Sequence, residues 1–229
     1  MKYRALLLDV GGPLEDERAQ EAEKDRQILA AFQAEGKDVA SRLAGANRRA
    51  VNSFAQNLYD AVIFDLANRD PALTQRVTER FRRVAQGRPP FVLRPGMLAL
   101  VRDCHRAGLR IGLCANQVAA AREVLAQSPL APYLSYGEVS DTLGLRKPDP
   151  RLFLTVLEGL GATPGEAIMI GDRIDNDIAP ARRLGITAIR LRIGRHRHQK
   201  PRSLIEIPDA DVTTVAGLRQ SLCALGIDL

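Results

Sequence analysis

Tryptophan is absent from this 229-residue chain, and four tyrosines and six phenylalanines bring its aromatic content to only 4%. A surface that stacks on nucleobases therefore has little to work with. Cysteine is scarce too: Cys104, Cys114 and Cys223 lie far apart, form no CxxC pair and are odd in number. That pattern speaks against a disulfide framework and against a structural zinc site, leaving three reduced, mostly buried thiols as the expectation. The three histidines, His105, His196 and His198, make no convincing metal cluster. No stretch approaches the ~20 uninterrupted apolar residues of a membrane span. The apolar run Ala5 to Leu8 is too short for a signal peptide. A cytoplasmic protein without membrane association is expected.

What is present is ordinary for a globular protein, with 45% apolar and 26% charged residues. The length suits one large domain or a core with a smaller insert. The net charge of +6 is most concentrated from Arg190 to Arg202, in RLRIGRHRHQKPR. Such a run can bind phosphates, but without interleaved aromatics it reads as a solvated loop, and nucleic acid is not an expected partner. No feature of the chain specifies an oligomeric state.

Tyr3 to Leu8 reads as a buried strand that breaks at the turn Gly11 to Pro13. From Glu15 to about Gly87 the composition is helical, with few glycines and prolines. Val51, Phe54, Leu58 and Val62 are spaced for one face of a helix, Ile28 and Phe32 make a similar pair, and Pro71 sits near a helix start. Three or four amphipathic helices in a small bundle are expected, with Gly87 to Gly96 as the linker out of it. Helix and strand then alternate. Met97 to Arg106, Val118 to Gln127, Asp149 to Leu160, Asp175 to Leu184 and Val215 to Leu225 are expected helices. Leu109 to Ala115, Tyr136 to Val139, Ala167 to Ile170 and Ile186 to Arg192 are expected strands. Such alternation predicts an α/β fold with a parallel sheet covered on both faces.

Ligands of such sheets bind beyond the carboxyl ends of the strands. Asp9, Asn116 and Asp172 fall at such ends. Asp9 has two readings, a cap on the glycine turn or a nucleophile and metal ligand. Asp172, Asp175 and Asp177 lie within six residues. Three acids so close repel one another unless a cation offsets them, and hard divalent ions take such oxygens. A helix N-terminus enriched in acids would explain Asp175 better than Asp172. Lys147 could neutralise a phosphate beside these carboxylates, or be a surface lysine before a proline turn.

Four separated segments, LLLDVGGPL at 6–14, IGLCANQ at 111–117, RKPDP at 146–150 and IGDRIDND at 170–177, resemble in order the four motifs of the haloacid dehalogenase superfamily. RPGMLALVRDCHRAGLRIGL before the second segment also fits, and the resemblance spans nearly the whole chain. It implies a Rossmann-like, doubly wound core at 1–14 and 93–229, with an inserted α-helical cap at 15–92. It also implies a Mg2+-dependent hydrolase, most simply a phosphatase on a small phosphorylated metabolite. Asp9 would be the nucleophile that forms an aspartyl-phosphate, assisted by Lys147. Asp9, the Gly11 carbonyl, Asp172 and Asp177 would hold Mg2+, and Gly12, Ala115, Asn116 and Lys147 would contact the phosphate.

Two positions depart from the pattern. Gly11 stands where many family phosphatases carry an aspartate that protonates the leaving group, a contribution typically worth ~10²–10⁴ in rate. Glu15 and Asp16 are the nearby carboxyls that could take over. Ala115 stands where a Ser or Thr hydroxyl usually meets the phosphate, a bond worth ~1–3 kcal/mol. Two alternatives stay open: a weakly active or inactive relative that binds a phosphorylated ligand or a protein, and a metal-independent haloacid dehalogenase. The acidic cluster argues against the second.

Overall fold

A computed structural model describes residues 2–84 and 90–229. The chain divides into two compact units, Met1–Asp16 with Phe91–Arg197 and Pro201–Leu229, and Glu17–Pro90 with His198–Lys200. Glu15 and Asp16 thus group with the first unit. Residues 87–89 of the expected linker, with 85 and 86 before them, lie outside the described residues.

The first unit begins with strand β1, Ala5–Leu8. The second is helical: α1 Arg18–Gln33, α2 Ala40–Asn52, α3 Leu58–Leu66 and α4 Pro71–Val84. Leu73, Val77 and Phe81 repeat every four residues along α4 and pack with Ile28 and Phe32 of α1 and Val62 and Ile63 of α3. Pro71 occupies the first turn of α4, and the Asp70 carboxylate accepts hydrogen bonds from the N–H groups of Ala72 and Leu73 at 2.9 and 3.2 Å.

The expected single helix through Val51, Phe54, Leu58 and Val62 is corrected to two. The chain breaks after Asn52, and Phe54 takes a left-handed backbone with φ of 56°. Asn57 then caps α3, its side chain accepting from the Asp60 N–H. The apolar spacing survives the break, while the polar Asn52–Ser53 and Gln56–Asn57 pairs around it supply the stop and the new start.

The rest of the first unit runs α5 Met97–Arg106, β2 Arg110–Leu113, α6 Ala119–Ala126, the single turn α7 Ser140–Leu143, α8 Pro150–Leu160 and β3 Ala167–Gly171. A π-helical turn at Ile174–Ile178 leads into α9 Ala179–Arg183, β4 Thr187–Leu191, β5 Ala210–Val212 and α10 Val215–Ala224. All strand pairs are parallel, in the order β2-β1-β3-β4-β5. Leu6 and Leu8 of β1 face a cluster with Met97, Leu100 and Leu222 from α5 and α10. Ala5 and Leu7 face the opposite cluster with Phe153, Val156 and Ala181 from α8 and α9. The sheet is therefore covered on both faces, which is why β1 is apolar without alternation.

Three further readings are corrected. Tyr136 to Val139 is not a strand; Tyr136 makes one isolated bridge to Gly112. The helix expected at Asp175 to Leu184 is a π-helical turn followed by a short α-helix. The basic stretch from Arg190 is not wholly a solvated loop, because Arg190 lies inside β4 and is buried. Strand β5 carries only a three-residue pattern, Ala210–Val212, and has no sequence signature.

Candidate active site

The strand order reverses direction at β1, whose neighbours are β2 on one side and β3 on the other. A parallel sheet opens a crevice at such a switch point. The register aligns Leu8 with Leu113 and with Ile170, so the residues after the three strands emerge side by side. The Asp9 N–H still donates to the Ile170 carbonyl at 3.0 Å, which ties the start of the loop to β3.

Asp9, Asp172 and Asp177 are all buried, and each offers a carboxylate oxygen within 4.8 Å of the others. The Lys147 ammonium lies 2.8 Å from Asp9 Oδ1 and 2.5 Å from Asp177 Oδ1. The Val10 N–H donates to the same Asp9 oxygen at 2.8 Å. The Lys147 ammonium contacts two of the three carboxylates, and the guanidiniums of Arg173 and Arg190 also act electrostatically on Asp172. Burial pushes the Asp9 carboxyl up to about 6, against the pull of Lys147 and with Asp177 adding to the rise. Burial alone would drive the Lys147 ammonium down, but Asp177 and Asp9 outweigh it and hold it above the usual lysine range. The all-oxygen donor set, three buried carboxylates with oxygens within 4.8 Å of one another, fits a hard divalent cation.

The backbone is shaped to this cluster. Gly12 has φ of +83°, and a Cβ there would stand 3.0 Å from Asp172 Cγ. A Cβ on Gly171 would stand 2.3 Å from the Asp177 Cβ and Cγ. The π-helical turn places Asp177 so that its Oδ2 accepts the Arg173 N–H at 2.9 Å while Oδ1 meets Lys147. Such turns concentrate at functional sites. Asp175 is drawn out of the cluster into an ion pair with Arg173 at 2.6 Å.

The residues after β2, the expected phosphate contacts Ala115 and Asn116, have protein partners of their own. Ala115 is buried, and its carbonyl accepts from the Ser140 N–H. The Asn116 side chain is turned to the backbone of Lys147, its Oδ1 accepting from the Lys147 N–H at 2.7 Å and its Nδ2 donating to the Lys147 carbonyl at 3.0 Å. This two-point clamp aims the lysine at the carboxylates. Cys114, the residue before, is buried, and burial holds its thiol above the usual range, so it is no competing nucleophile. Cys104 is also buried and Cys223 is exposed.

Three supporting residues were not singled out in the sequence. Gly171 was visible only as part of IGD, and its packing against Asp177 is a tertiary fact. Arg94 donates to the carbonyls of Gly12 at 2.7 Å and Glu15 at 3.2 Å, bracing the loop after β1 from the end of the linker segment. Arg190 stood hidden in a basic run.

A parallel sheet in this order, with an acidic cluster and a lysine at its switch point, defines a class of hydrolase core. The chain belongs to the haloacid dehalogenase-like hydrolase family, whose model matches residues 3–185. It is similar to a phosphoserine phosphatase of Thermus thermophilus, 36% identical over 116 residues, covering 48% of this chain and 47% of the relative. It is also similar to a glyceraldehyde 3-phosphate phosphatase of Methanopyrus kandleri, 28% identical over 119 residues, covering 52% of this chain and 51% of the relative. The chain thus spans about half the length of these curated relatives. The crystal structure of a HAD phosphatase from Thermococcus onnurineus shares the fold, with a TM-score of 0.59 at 22% identity, over 96% of this chain and 97% of that one.

Proposed function

We propose that this protein is a Mg2+-dependent phosphatase acting on a small phosphorylated metabolite, with Asp9 as nucleophile. The observation that carries the reading is the cluster of three buried carboxylates beside Lys147 at the switch point, their oxygens within 4.8 Å of one another. The phosphatase relatives support the substrate class. The helical unit, placed after the first motif, has the position of a cap that selects the substrate.

Asp9, Asp172 and the Gly11 carbonyl would hold the cation, with Asp177 supporting from behind through Lys147 and the Arg173 N–H. When bound, Mg2+ would supply Lewis-acid stabilisation of charge on the phosphoryl oxygens. The Val10 N–H and Lys147 orient the Asp9 carboxylate. A carboxylate oxygen attacks phosphorus, the bond to the leaving oxygen breaks, and an aspartyl-phosphate forms. Water then attacks phosphorus, orthophosphate leaves and the Asp9 carboxylate returns. Lys147, anchored by Asn116, holds its positive charge beside the reacting group throughout. Gly11 has no side chain to protonate the leaving oxygen, so leaving groups of low basicity are favoured.

The test is orthophosphate release from p-nitrophenyl phosphate, an alkyl phosphate and a panel of small phosphorylated acids and sugars. Release should require Mg2+, vanish in Asp9→Asn, and be faster for the aryl than for the alkyl ester by ~10²–10⁴, the range general-acid help would otherwise supply. No turnover across the panel, with phosphate still stabilising Asp9→Asn, would establish a binding protein instead. Chloride release from a 2-chloro acid in chelator would establish a dehalogenase.

A further inference from the structure

Arg190 heads the fully buried side chains by volume among the described residues and is 1% exposed. It lies in β4, paired in register with Gly171, the residue before Asp172. Its Nε donates to the main-chain carbonyl of Asp172 at 3.1 Å, and its Nη2 donates to the carbonyl of His196 at 2.6 Å. The carboxylate of Asp211, at 3.9 Å from Nη1, faces it from β5. Burying a guanidinium costs several kcal/mol before its partners are counted, and an apolar side chain of this size would fill the space more cheaply. A guanidinium, with donors fixed in one plane, can instead hold two carbonyls at a set distance and angle.

Asp172 is consequently gripped from two directions. Gly12 lies against its carboxylate closely enough that a Cβ would come within 3.0 Å of it, and Arg190 holds its peptide. A shift of the backbone at Asp172 would carry its carboxylate out of the 4.8 Å circle it shares with Asp9 and Asp177. We propose that Arg190 is a positioning residue for the cation site, acting through the Asp172 backbone, and that this accounts for the first arginine of the basic run. The proposal rests on the reading of Asp172 as a Mg2+ ligand.

Electrostatics and positioning predict opposite signs. Arg190→Met removes a positive charge close to a cation site. If charge alone mattered, Mg2+ would bind more tightly; if Arg190 holds the ligand, Mg2+ binds more weakly. Removing an outer partner of a metal ligand typically costs ~10–100-fold in affinity. Arg190→Lys keeps the charge but loses the rigid planar fork that holds the two carbonyls at a set distance and angle. Arg192→Met is the control: Arg192 bonds Asp211 at 3.1 Å from a half-exposed position, with no contact to Asp172.

The measurement is Mg2+ binding by calorimetry and by the Mg2+-dependent rise in melting temperature, on the 229-residue chain with no substrate present. The expected result is a Kd for Mg2+ raised ~10-fold or more in Arg190→Met and Arg190→Lys, and unchanged in Arg192→Met. A tighter or equal Kd in the Arg190 variants would overturn the proposal, even if their melting temperature fell. Collapse of both variants with and without Mg2+ would overturn it too, since the arginine would then hold the fold rather than the ligand. A wild type that itself shows no Mg2+ binding removes the functional reading and the proposal together; a responsive wild type with equally responsive variants removes only the role of Arg190.

Discussion

The carboxyl of Asp9, raised from 3.8 to about 6 chiefly by burial, binds its proton more tightly in the fold than in the unfolded chain. Between those values the folded state holds more protons, so this residue's contribution to stability falls as pH rises from about 4 through about 6. The difference corresponds to roughly 3 kcal/mol. In chelator at pH 7.5, Asp9→Asn, which stays neutral, should therefore be the more stable protein by up to about 3 kcal/mol in urea unfolding. The gap should close below about pH 4. A gap that widens on acidification contradicts the assignment. Saturating Mg2+ should reverse the order, because the cation favours the ionised carboxylate. At this scale the acidic residues were legible in the sequence, since Asp9 and Asp172 end apolar runs and Asp177 lies five residues beyond Asp172. The clamp role of Asn116 was not, because an amide that reaches a phosphate and one that bridges a peptide look alike until Lys147 is brought beside it.

The loop between β3 and α9 shows why element type was easier to read than element geometry. Ile168, Met169 and Ile170 announce a buried strand, and the residues after Asp172 have helical composition. The π-helical turn between them follows from contacts: Asp177 bonds the Arg173 N–H and Lys147, and Gly171 leaves room for its Cβ. Gly171→Ala should push Asp177 off this seat and destabilise the protein by about 1–3 kcal/mol, as overpacking does. In an Asp177→Gly background the same alanine should cost much less, and a double-mutant cycle by thermal unfolding measures the coupling. Additive losses would show that the two positions do not share the space. The broken helix at Phe54 is the same lesson in the other unit. Periodicity reports which residues are buried, and Asn52, Ser53 and Asn57 decide where the backbone turns.

Across the whole molecule, the alternation of strands and helices sufficed to anticipate a doubly covered parallel sheet, while strand order and the partnership of β5 came only with the structure. The core is built around β1. Leu7, fully buried in the cluster that includes Phe153 and Val156, should cost about 2–5 kcal/mol when replaced by alanine. The loss should appear in urea unfolding as a lower midpoint with an unchanged slope, and a loss below 1 kcal/mol would argue that β1 is not the centre of the core.

The position of β1 also has a meaning in time. It is synthesised well before both its neighbours, β2 at Arg110 and β3 at Ala167. A nascent chain therefore carries an apolar, two-edged strand with no partner while the helical segment and much of the core are still being made. During that interval the strand is open to wrong pairings, as exposed strands in slow parallel sheets are. Asp9 follows such a strand directly, so the proposed nucleophile is made well before Lys147, Asp172 and Asp177, the residues that come to surround it.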